Sequence, residues 1–125
     1  MRMSRPSIRV KRVYAPASED DGVRVLVDSL WPRGMSKAAA AVDLWLKDVG
    51  PSRALRRWFN SDPTRWAEFK QRYAEELDML AARSPAIAAL AGAVRRGRVT
   101  LLFGARDERH NAAVALHAYL TRRAV

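Results

Sequence analysis

Val99-Thr100-Leu101-Leu102-Phe103-Gly104-Ala105-Arg106-Asp107 is the stretch from which the rest of the chain is read. Its first five residues show no polar alternation, so the strand they form has no solvent-facing side. Such a strand belongs inside a parallel sheet covered by helices on both faces. Gly104 ends it, and Asp107 is a natural N-cap for a last helix whose Ala113, Leu116 and Leu120 would face the sheet.

The signals on the N-terminal side of this strand are helical. Gly97 follows Arg95-Arg96 as a helix C-terminus should end, and Ser84-Pro85 opens that helix with a cap and a proline. Asp62-Pro63 repeats the pattern for the longest helix, Pro63 to Ala82, in which Trp66, Phe69, Tyr73, Leu77 and Leu80 recur at three- and four-residue steps as one buried stripe. Pro51-Ser52 opens a shorter helix carrying Leu55, Trp58 and Phe59. Earlier still, Ile8 to Val13 alternates apolar and basic residues as a half-buried strand does. Val23 to Val27 forms a second strand that closes on Asp28, and Trp31-Pro32-Arg33-Gly34 breaks regular structure. Ser36 to Ala41 reads as one or two helical turns and Val42 to Leu46 as a third short strand. The expected fold is therefore α/β: a small three-layer, mostly parallel four-stranded sheet flanked by helices, in one domain over 8–125 behind a frayed start at 1–7.

Composition narrows the function classes. With 125 residues, 49% apolar and 29% charged, the chain can bury a core of its own, and the lack of cysteine excludes disulfides, thiolate metal sites and thiol nucleophiles. Two histidines among scattered carboxylates make no metal-ligand spacing, so neither metal nor cofactor is expected. No apolar stretch follows the basic start MRMSRPSIRV, and the longest apolar run, Ala86 to Val94, is too short to span a bilayer, which gives a cytoplasmic protein with no membrane partner as the expectation. The net charge of +10 attracts polyanions and steers acidic ligands, although a chain rich in both Arg and Ala also reads as compositional bias. Oligomeric state stays open.

The ligand-site expectation follows from the fold. Open α/β sheets bind ligands at the C-terminal ends of their strands. There Arg106 offers a bidentate anion contact, Asp107 a carboxylate, Asn111 a polar side chain, and His110, in the first turn of the last helix, a neutral imidazole able to accept a proton. If the Val23 to Val27 strand runs parallel to the Val99 to Phe103 strand, Asp28, Trp31, Arg33 and Lys37 emerge at the same edge. The candidate catalytic set is His110, Asp28 and Asp107; the candidate ligand-binding set is Arg33, Arg106, Trp31, Lys37 and Asn111. The same residues read equally as a structural group: Asp107 a cap, His110 bonded to the preceding loop, Arg106 paired with Glu108, Trp31 a plug. Trp45, Trp58, Trp66 and Phe69 read as core, with stacking on bases beside Arg53, Arg56 and Arg57 as the other use, and His117 reads as structural.

These stretches also carry a resemblance. Through Lys11-Arg12-Val13-Tyr14, Val25-Leu26-Val27-Asp28-Ser29-Leu30-Trp31-Pro32-Arg33-Gly34, Asp43-Leu44-Trp45-Leu46-Lys47, Trp58-Phe59 and Ala105-Arg106-Asp107-Glu108-Arg109-His110-Asn111, nearly the whole chain resembles the YeaO-like branch of the domain-of-unknown-function 488 family. The resemblance implies an α/β fold and a cytosolic prokaryotic source, and carries no established activity. Members usually have Arg where Ser29 stands here, so Arg33 and Lys37 are the expected replacements if that cation binds ligand. More distant relatives carry Cys where Arg109 stands, so no thiol chemistry transfers.

Three functions fit the residues. The first is an anion site for a phosphorylated or nucleotide-like small molecule, enzymatic or not. The second is a non-catalytic nucleic-acid-binding module using the arginine surface, and the third is a protein-interaction domain.

Overall fold

The computed structural model describes residues 7–123. Four strands form one wholly parallel sheet: β1 (Ile8–Arg12), β2 (Val23–Leu26), β3 (Leu44–Trp45) and β4 (Val99–Phe103), in the order β1-β4-β2-β3. The last strand in the sequence is thus interior, and all five of its residues are buried. Between them run α1 (Lys37–Ala40), α2 (Arg53–Phe59), α3 (Trp66–Ala81) and α4 (Pro85–Arg96), with α5 (Ala112–Arg123) closing the chain. The frayed start expected at 1–7 falls mostly outside the described residues; Ser7 itself accepts a hydrogen bond from Val99 N at 2.9 Å.

The period-two alternation of the strands divides the core in two. Val99, Leu101 and Phe103 of β4, with Val25 of β2, meet Phe69, Tyr73 and Leu77 of α3, Ile87 and Leu90 of α4, and Leu116 of α5. On the other face Leu26 and Leu102 join Val13 and Ala40 in a smaller cluster under Trp31, Met35, Val42 and Trp45. One face therefore carries a stack of helices, and the other only α1 and the loops beside it.

That thinner layer is held by polar groups. Arg24, in the middle of β2 and 4% exposed, donates to the carbonyls of Ala40 at 2.8 Å and Ala41 at 3.0 Å, and pairs with Asp21. Asp21, 2% exposed, also accepts from Lys11 at 3.1 Å and from Ser18 N at 3.0 Å. Burial alone would raise the Asp21 pKa, but the Ser18 N–H, Lys11 and Arg24 outweigh it and hold the carboxyl below its ordinary value. Gly22 enters β2 at φ 65°, where an added Cβ would lie 2.3 Å from Arg98 O, so the approach of β2 to β4 requires glycine here.

The third strand, expected over Val42 to Leu46, shrinks to Leu44–Trp45, and two helix starts also moved. Pro63–Arg65 forms a 3-10 turn before α3, capped by Asp62. Asp107 does not cap α5. Asn111 does, accepting from Val114 N at 2.9 Å, so His110 lies in the turn before the helix and not in its first turn.

Candidate functional site

Because β2 and β4 are parallel neighbours, their C-terminal ends open at one edge. Asp28, just past β2, reaches across to β4, where its Oδ2 accepts the Gly104 N–H at 2.8 Å. Its own carbonyl accepts from the Trp45 indole at 2.8 Å, which ties in the end of β3. Three strand ends are thus joined through one residue.

The surrounding loops are fixed by similar bonds. Arg12, the last residue of β1, donates to the carbonyls of Ala105 at 2.9 Å and Gly104 at 3.1 Å and lies over the Tyr14 ring at 4.9 Å. The Tyr14 hydroxyl donates to Arg33 O at 2.9 Å, and the Trp31 indole donates to Met35 O at 2.8 Å. Trp31 and Trp45 meet edge to face at 5.3 Å. Between these loops lies a cleft of ≈ 320 Å³ lined by Tyr14, Asp28, Trp31, Arg33, Arg56 and Gly104 together with apolar neighbours such as Val27, Pro51 and Ala112.

Burial raises the Asp28 pKa above its ordinary value, against the opposing pull of the Gly104 N–H and the Arg56 charge. The Arg56 guanidinium donates to Ser29 Oγ at 3.0 Å. A cation from α2 therefore arrives beside Ser29; Arg33 also lines the cleft, and Lys37, exposed at the start of α1, does not.

Of the eight residues expected at the site, Asp28, Trp31 and Arg33 line the cleft. Arg106, Asp107, His110 and Asn111 follow Gly104 at the same sheet edge but outside that lining. Asp107 accepts from the backbone N–H groups of Arg109 at 2.9 Å and His110 at 3.0 Å, and its second oxygen lies 3.0 Å from His110 Nδ1. The Arg109 N–H and the His110 side chain are the leading reasons that its carboxyl is held below the ordinary range. The His110 ring packs edge-on against Trp66 at 5.3 Å. Asn111 is buried and donates to Asp107 O at 2.8 Å, and Arg106 is exposed with no hydrogen bond or ion pair among the described residues.

Sequence reasoning missed Arg56 as a cleft residue, grouping it with Arg53 and Arg57, because nothing local in α2 says which turn faces the strand ends. Tyr14 was legible only as part of the resemblance.

The sequence model of one family, DUF488-N3i, described as an inactive DUF488-N3 subclade, matches residues 7–124. The uncharacterized protein YeaO of Escherichia coli (strain K12) is 38% identical over 114 residues, covering 91% of this chain and 96% of that protein. The uncharacterized proteins Rv3073c of Mycobacterium tuberculosis and Mb3100c of Mycobacterium bovis are each 51% identical over 70 residues, 56% of this chain. That match spans 59% of each mycobacterial protein's length. No solved structure matches.

Proposed function

We propose, for a chain that belongs to the YeaO-like DUF488 proteins and within them to the inactive DUF488-N3 subclade, a binding role: the cleft at the C-terminal edge of the sheet captures a phosphorylated small molecule and does not transform it. The observation that carries this reading is that Arg33 and Arg56 line one preorganised cleft of ≈ 320 Å³, a size suited to a single small ligand. The bonds from Arg12, Tyr14, Trp31 and Trp45 fix the loops beforehand, so little ordering entropy opposes binding.

Catalysis has less support. The imidazole of His110 is engaged by Asp107 and Trp66, away from the cleft lining, and the family description speaks of an inactive subclade. Among the described residues no single helix is long and apolar enough to cross a membrane.

Thermal-shift titration with phosphorylated metabolites at low salt tests the reading. A ligand at about 100 times its Kd stabilises by about 2.7 kcal/mol. The shift should vanish in Arg33→Ala/Arg56→Ala, with the ligand recovered unchanged. No shift with any phosphorylated compound, or a shift that survives in the double variant, overturns it. The net charge of +10 favours nucleic acid as a second reading. It requires binding that is insensitive to the Arg33→Ala/Arg56→Ala changes and falls steeply with salt.

A further inference from the structure

Asp28 and Arg56 stand side by side in the cleft lining. The Arg56 guanidinium donates to Ser29 Oγ at 3.0 Å, one residue on from Asp28, and its charge acts on the Asp28 carboxyl. Each keeps unused bonding capacity. Oδ2 of Asp28 accepts from the Gly104 N–H at 2.8 Å, whereas Oδ1 has no protein partner among the described residues and is not a buried atom left without one. Arg56 is exposed, and Nε and Nη2 of its guanidinium make no hydrogen bond or ion pair among the described residues.

A ligand that reaches this guanidinium therefore meets a carboxylate at the same place. An ionised carboxylate only accepts hydrogen bonds, and it repels a like charge brought beside it. A fully deprotonated oxyanion satisfies Arg56 and opposes Asp28. An oxyanion that keeps one proton satisfies both at once, giving its O–H to Asp28 and an anionic oxygen to Arg56.

Resting on the reading of the cleft as a site for a phosphorylated small molecule, we propose that Asp28 determines the specificity of that site: it selects phosphate groups that keep an ionisable P–OH, as inorganic phosphate and phosphate monoesters do, and rejects sulfate, sulfate esters and phosphodiesters. A monoester loses its second proton near about pH 6, so the species bound is the monoanion. The internal phosphates of a nucleic acid are diesters and are turned away on the same ground.

Two pairs of anions isolate the Asp28 contact: inorganic phosphate against sulfate, and phenyl phosphate against phenyl sulfate. Isothermal titration of the wild-type protein at about pH 6 should favour the phosphate of each pair by about 10- to 100-fold, the range for a hydrogen bond to a charged group. Sulfate carries two charges where inorganic phosphate then carries mainly one, so attraction to Arg56 alone predicts the opposite order in the first pair. In Asp28→Asn the Gly104 N–H still needs an acceptor, so the amide oxygen turns to it and the NH₂ faces the cleft; a donor then meets every oxyanion, and the preference should disappear. Equal or reversed affinities in the wild type, or a preference that survives in an Asp28→Asn variant shown by its thermal melt to be folded, overturn the role of Asp28. Loss of phosphate binding in Arg56→Ala would in that case still support the anion site. Absence of binding by all four anions and by the phosphorylated metabolites overturns both.

Discussion

Arg24→Met should destabilise the fold by about 3–5 kcal/mol, the range for removing one partner of a buried ion pair. Methionine keeps most of the aliphatic volume, so the loss reports charge and hydrogen bonding and not a cavity. Asp21, 2% exposed, would keep Lys11 and the Ser18 N–H, which moderates its part of the loss. The carbonyls of Ala40 and Ala41 would lose their guanidinium donors, at about 1 kcal/mol each. Against a total stability of about 5–15 kcal/mol for a domain, the effect is easily measured by urea unfolding. Wild type, Arg24→Met, Asp21→Asn and the double variant form a cycle in which the double loss should fall short of the summed single losses by at least about 1 kcal/mol. A single loss under about 1 kcal/mol, or strict additivity, would refute the view that this pair fastens α1 and its loop to the sheet.

Ionised Asp28 has a raised pKa, so the native state loses stability as pH rises through that value. Asp28→Asn should therefore melt higher than wild type near neutral pH, the gain shrinking below the ordinary carboxylate value, and a gain independent of pH contradicts the burial argument. Asp21 has the opposite sign: its contribution is full above the ordinary carboxylate value and disappears as pH falls through its lowered pKa, so Asp21→Asn should flatten the acid limb of the stability curve. Asn111→Ala should cost about 1 kcal/mol in urea unfolding, as loss of an N-cap does, and an unchanged midpoint would return the cap to Asp107.

Most of the fold was legible because β4 shows no polar alternation, which points to a covered parallel sheet. The cap-and-proline pairs Asp62-Pro63 and Ser84-Pro85 placed the long helices for a local reason. The start of α5 was misread because both Asp107 and Asn111 are good caps, and the choice between them depends on a turn in which Asn111 bonds back to Asp107. For the site, Asp28, Trp31 and Arg33 could be expected at the cleft because they directly follow a strand which, if parallel to β4, ends at the same edge. Arg56 could not, since the path of α2 past Ser29 is set by tertiary packing. Lys37 lies exposed in the first turn of α1, outside the cleft lining, a placement that depends on the path of the loop after Trp31.

The strand order also bears on how the chain is made. β1 and β2 do not pair with each other; each pairs with β4, which leaves the ribosome after all of α1 to α4. Until then β1 has no partner and β2 has only the two-residue β3, and the helices of the middle segment lack the central strand against which they lay their apolar faces. A product stopped short of Val99 would carry an unpaired β1, a β2 paired only along β3 and an open core, a species prone to aggregation rather than a smaller folded protein. Insertion of the last strand therefore acts as a checkpoint: it completes the sheet and, through Gly104, closes the floor of the cleft, so the cleft exists only in a chain whose synthesis has gone past β4.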